Sequence, residues 1–328
     1  MRPILSIFLS LITTILLFIG IGYLSQLLDV SFEGFPFFVV IFLGGVIVTW
    51  FSTGNKIRYS IYYGVIFAVV NGFFYNFLSL SFFISLILIS IIAGMGGSIA
   101  KNEKNTLKNL FNNKFRGKYK SFFINLYKRN KKVLIASLII FFVFVLIGGV
   151  GPYVSNPFDS LMTDLIGNYL SILERLAKLT TLSLFVNNSN NAFFDEYIYG
   201  IFFGITSAID LAFLGIINGF TFVKYPIMIF YILPHAIFEV PSAIIAVAAG
   251  FKLSITTLNI IWDGLHIKRD NPISEQVNGI LSAHYLKFRD SLTLFIIAII
   301  LLVIAAIIEA NFSIEIGNYI TGQNIHAL

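Results

Sequence analysis

Stretches of about 20 apolar residues, the length a helix needs to cross the hydrocarbon core of a bilayer, recur along this chain and limit its fold more than any other feature. In lipid every backbone donor and acceptor must be satisfied internally, which leaves helices and closed β-barrels. A barrel would read as alternating segments of about 10 residues, a pattern missing from this sequence. Hydrophobic residues fill 57% of the 328 positions and charged ones only 12%, and the mean hydropathy is +0.88. The expected class is therefore all-α: a polytopic helical membrane protein with about six full spans plus a broken, re-entrant helical hairpin. The first run, Ile4–Leu24, follows only Arg2, exceeds a signal-peptide core and precedes no small-residue cleavage site, so it reads as a retained span.

Charge patterning divides the chain into three parts. Residues 1–100 hold four spans, Ile4–Leu24, Phe35–Trp50, Tyr59–Leu78 and Leu80–Ala100, as an N-terminal membrane domain. Residues 101–132 then carry 11 of the 22 Lys and Arg against a single acid, Glu103, interleaved with Phe111, Phe115, Tyr119, Phe122, Phe123 and Tyr127. Such a basic cytoplasmic linker suits the anionic inner leaflet, each cation contributing about 1 kcal/mol near the surface. The formal charge of +6 thus points to lipid and topology rather than to nucleic acid. Residues 133–328 form the second membrane domain. With no cysteine in the chain, disulfides and thiolate chemistry are excluded, and a metal would need histidine and carboxylate ligands. No cofactor or metal is expected from motifs.

In that second domain a span over Val133–Tyr153 is expected to emerge outside, followed by an external loop over residues 154–195. Leu161, Leu165, Leu170, Leu173, Leu176, Leu179 and Leu182 recur there near helical spacing, the pattern of a surface amphipathic helix. The Asn-rich stretch Val186–Asn191 closes the loop with residues that favour turns. A span from about Glu196 to Phe222 follows. Its glycines Gly200, Gly204, Gly215 and Gly219 fall on one face and offer a groove to another helix. Asp210 lies mid-span on another side, with Asn218 within a quarter-rotation of it. An aspartate at bilayer depth costs about 2.5 to 3.5 kcal/mol unless protonated, paired or facing a polar cavity.

Residues 226–253 then place Pro234, His235, Glu239 and Pro241 inside an apolar stretch. His235 and Glu239, four apart, share a helix face. Lys268, Arg269, Lys287 and Arg289 draw the following loop, 254–291, toward the cytoplasm. One more simple crossing would strand that loop outside. A short helix to Leu233, a break at Pro234 and a second arm ending at Gly250 resolve the conflict as a re-entrant pair; one kinked full crossing is the competing arrangement. The last span, Leu292–Ile308, reaches Glu309. The N-terminus is expected in the cytoplasm of a multi-pass cell-membrane protein, and the C-terminus outside.

Taken in order, Asn187 and Asn188, Gly200 and Gly204, Asn218 and Gly219, Leu233–Pro241, Ala248–Leu253 and Ala305–Ala310 resemble the stage II sporulation protein M family. The resemblance covers about residues 133–315, with Ala236 where the family usually has glycine and with the four-span N-terminal extension in addition. It implies a membrane scaffold that recruits other membrane or envelope proteins, without enzymatic activity, and allows a homo-oligomer. The polar set Asp210, Asn218, His235, Glu239, Ser242 and Glu309 reads first as an interhelical hydrogen-bond network. Two other readings stay open. A transporter would use Asp210, His235 and Glu239 as a proton or cation relay, and an intramembrane hydrolase would use His235 and Glu239 as ligands or as an acid and base.

Overall fold

The computed structural model describes residues 3–28, 35–52, 56–75, 116–167, 204–266 and 273–322, with isolated positions between 89 and 100 and between 184 and 192. It divides into two units, Met1–Phe122 and Phe123–Leu328. All regular structure among the described residues is helical, and five of the helices are long and apolar enough to cross a membrane. The all-α polytopic class expected from the apolar runs is the class observed.

The first unit contains α1 (Pro3–Leu28), α2 (Phe35–Phe51) and α3 (Lys56–Tyr75). Of the expected span Leu80–Ala100, only isolated positions are described. Lipid offers no hydrophobic drive between apolar helices, so small residues and hydroxyls must supply the contact. Gly45 abuts the Ala93 carbonyl, and Gly44 lies under the Tyr63 ring, so neither position has room for a Cβ. Hydroxyls tie the same helices together: Ser10 donates to the Gly44 carbonyl at 2.7 Å, Thr14 meets the Tyr63 hydroxyl at 2.6 Å, and Thr49 meets Ser60 at 2.6 Å.

The second unit is built around α4 (Arg116–Val154), α5 (Asn156–Ile166), α6 (Ile205–Lys224), a 3₁₀ turn (Pro226–Met228), α7 (Ile229–Leu265), α8 (Ile273–Ile308), a π-helical segment (Glu309–Ser313) and α9 (Ile314–Thr321). The basic stretch from Arg116 is the first part of α4, continuous with the span that follows. Ser155 caps α5, accepting a bond from the Phe158 amide, while Pro157 sits in the first turn, where its missing donor is harmless.

Glycines set the course of α4 against α6. Gly215 is packed so closely that an added Cβ would lie 2.7 Å from the Phe141 carbonyl, Gly219 abuts the Val145 carbonyl, and Gly149 faces Val223. Numbers rise together on both helices, so α4 and α6 run parallel. At their far ends Lys224 reaches Asp159 of α5 at 2.8 Å. A single external loop over 154–195 followed by a returning span would make the two helices antiparallel, and that expectation is corrected. Ile166 and Gly204 therefore lie at opposite ends of the unit.

The expected fracture at Pro234 is also corrected. Helix α7 continues through Pro234 and Pro241, and Gly250 lies inside it rather than at its end. Each proline removes one donor from the helical ladder. Helix α8 lies antiparallel beside it and is tied to it along its length: Ser242 donates to the Ala298 carbonyl at 2.7 Å and Ser291 to the Ala249 carbonyl at 2.8 Å. With α6 parallel to α4, one full crossing by α7 brings the chain back to the basic end, so the topological conflict that had called for a re-entrant pair does not arise. Arg129, on α4, grips Asp290, on α8, with two bonds of 2.7 Å. The α7–α8 turn therefore lies at the basic end of the unit, opposite Asp159 and Lys224.

Candidate functional site

Midway along α7 two ionisable side chains meet a third from the end of α8. Glu239 is roughly 15 Å along the axis from the start of α7 and roughly 20 Å from Lys252 near the basic end, at about 1.5 Å per residue. His235, one turn earlier, is 4% exposed. Its Nε2 stands 3.7 Å from a Glu239 carboxylate oxygen, outside hydrogen-bond reach. The π-helical turn over Glu309–Ser313 supplies the rest: Glu309 and Ser313 are both buried within it, and wide turns of this kind are frequent at functional sites. Donor atoms of His235, Glu239 and Glu309 all lie within 4.8 Å of one another.

Ser313 meets His235 Nδ1 at 2.9 Å and lies 3.3 Å from the Ile308 carbonyl. In the tautomer with the proton on Nδ1, the hydroxyl accepts from it and Nε2 presents its lone pair toward the two carboxyl groups. Among the described residues neither Glu239 nor Glu309 receives a hydrogen bond.

A cavity of about 110 Å³ adjoins the cluster, lined by Asn188, Ala192, Leu214, Glu239, Ser242, Ala243 and Leu302. Several waters fit such a volume, since one needs only about 10–15 Å³. The three convergent donor groups suit capture of a small cation or of protons.

The other residues singled out from the sequence are distributed differently. Asp210 is half-buried on α6 and is not one of the three convergent groups. Asn218 bonds the Leu214 carbonyl of its own helix at 2.8 Å. Ser242 lines the cavity and also ties α7 to α8. Gly215 and Gly219 pack against α4, whereas Gly204 has a left-handed φ of 67° and precedes the first turn of α6. Gly200 lies outside the described residues. The groups that sequence reasoning missed are Ser313, the Arg129–Asp290 pair and the position of Asn188. Asn188, read as part of a surface turn, lies beside Glu239 in the bundle. For Ser313 the available signal was its place four residues after Glu309.

Residues 137–314 match the family described as Stage II sporulation protein M. An uncharacterized protein of Methanocaldococcus jannaschii is 32% identical over 127 residues, a match that spans 37% of this chain and 64% of that relative. No solved structure matches.

Proposed function

Since the chain belongs to the stage II sporulation protein M family, we propose that it acts as a non-enzymatic membrane scaffold that binds other membrane or envelope proteins. The observation carrying this reading is the α7–α8 hairpin. From the level of Lys252, beside the Arg129–Asp290 pair, α7 continues to Leu265, a projection of roughly 20 Å at about 1.5 Å per residue. His284 and Asp263, 2.7 Å apart, brace the two arms. On this projection Ile261, Trp262 and Leu265 are 53%, 64% and 75% exposed. An exposed aromatic and aliphatic cluster on a braced hairpin offers the anchors that dominate protein interfaces.

Lys128, Lys131, Lys132, Lys287 and Arg289 gather toward the same end, which the positive-inside rule assigns to the cytoplasm. The hairpin then faces the cytoplasm, while α5 and α9 lie outside. Phe122, Phe123 and Tyr127 are exposed beside the cations of α4, an arrangement suited to an anionic leaflet.

Crosslinking mass spectrometry on the full chain, extracted in mild detergent, tests the scaffold. Crosslinks to other membrane proteins should map to 255–290 and be lost in a Trp262→Glu, Leu265→Glu variant. Recovery of isolated copies alone, under conditions that preserve known complexes, contradicts it. The transport alternative is separated by ion flux in proteoliposomes: flux abolished by Glu239→Gln and Asp210→Asn would displace the scaffold reading.

A further inference from the structure

We infer that His235, Glu239 and Glu309 form a binding site for one divalent transition-metal ion of the zinc type, clamping α7 to the π-helical end of α8. The inference stands independently of the scaffold reading. Its first support is the donor set. One donor atom each of His235, Glu239 and Glu309 lies within 4.8 Å of the others, His235 Nε2 stands 3.7 Å from Glu239, and Nδ1 is already engaged by Ser313 at 2.9 Å. That is how a ligating histidine is usually held, with its second nitrogen fixed by an outer partner.

The second support is that no side chain among the described residues neutralises the two carboxylates. Glu309 is 9% exposed, yet among the described residues no donor reaches it or Glu239. The nearest cationic groups on the packed helices, Lys252 on α7 and Arg129 and Lys287 at the basic end, lie well over a turn away along the axes. Two carboxylates and a neutral imidazole carry a charge of −2, which one divalent ion cancels. Burial of unpaired charge in lipid is otherwise costly.

Geometry also favours this class of ion. Bonds of about 2.0–2.2 Å place tetrahedral ligands about 3.4 Å apart, so the present spread of up to 4.8 Å closes by at most about 1.4 Å, within reach of glutamate side-chain rotation. One imidazole with two carboxylates suits zinc better than magnesium, which demands octahedral oxygen ligation. Glu239 also lines the cavity that holds Asn188, a space with room for water as a further ligand.

The experiment uses the full chain in mild detergent, stripped with chelator and shown to be monodisperse, then titrated with Co(II) and with Zn(II). One Co(II) per chain is expected, with the intense visible absorption of a low-symmetry site, displaced by Zn(II) and untouched by excess Mg(II). Glu309→Gln, nearly isosteric, and His235→Ala should abolish that absorption, and Ser313→Ala should weaken binding about 10–100-fold. Absence of stoichiometric Co(II) binding to the monodisperse wild-type chain overturns the proposal, since the carboxylates are then neutralised by protons. Binding that survives unchanged in Glu309→Gln overturns it as well.

Discussion

The two units solve the same problem, adhesion between apolar helices, with different chemistry. In the first, every buried polar side chain described is a hydroxyl: Ser6, Ser10, Thr14, Thr49, Ser52 and Ser60. Hydroxyls carry no net charge and cost little in lipid, so they need only one partner each and imply no ligand. In the second, the buried set includes His235, His284, Asp290 and Glu309. Charged and titratable groups are expensive when buried, most of all at bilayer depth, and persist where something neutralises them. Arg129 does so for Asp290; for Glu239 and Glu309 no described side chain does. This contrast is why both proposals fall on the second unit.

The comparison breaks most sharply at Asp290. Its carboxylate is 2% exposed while the Arg129 side chain is 33% exposed, so Asp290→Ala leaves a partly buried guanidinium without its anion. A loss of about 3 kcal/mol is expected, seen as a fall in thermal stability in detergent. Next come the glycines, where the units should behave alike: Gly219→Leu and Gly45→Leu each push a side chain into a neighbouring carbonyl and should cost about 2–3 kcal/mol, read by the same unfolding assay. A smaller effect is expected from Thr14→Val, which removes the partner of the Tyr63 hydroxyl; roughly 1 kcal/mol fits interhelical bonds in membranes. Ser242→Ala should be the mildest, about 0.6 kcal/mol, because α7 and α8 keep their other ties. A Thr14→Val effect larger than that of Asp290→Ala would erase the distinction between the units.

Much of the fold was legible in the sequence. Apolar run length gave the class and the spans of α1, α2, α4 and α8, and His235 with Glu239 stood out because lipid penalises both. What stayed hidden was long-range. Leucines at helical spacing between 161 and 182 say nothing of the direction of the next helix, and only the packing of Gly215 and Gly219 on α4 shows that α6 runs parallel to it. Pro234 and Pro241 signal lost donors, but whether a helix breaks there depends on its neighbour, and α8 with its Ser291 bond lies dozens of residues away. The π-helical turn that aims Glu309 and Ser313 at His235 has no local sequence signature. Asp290, at the edge of a basic loop, looked solvated until its partner, Arg129 on α4, was in view.

The central claim is that α7 crosses the membrane unbroken and so holds its histidine and glutamate at mid-depth. Because the chain lacks native cysteine, single cysteines at Tyr225 and Asp263 can be labelled with an impermeant maleimide in intact cells. The account predicts that Tyr225→Cys labels from outside and Asp263→Cys only after the membrane is opened. Labelling of both positions from one side would place the two ends of α7 together and contradict it.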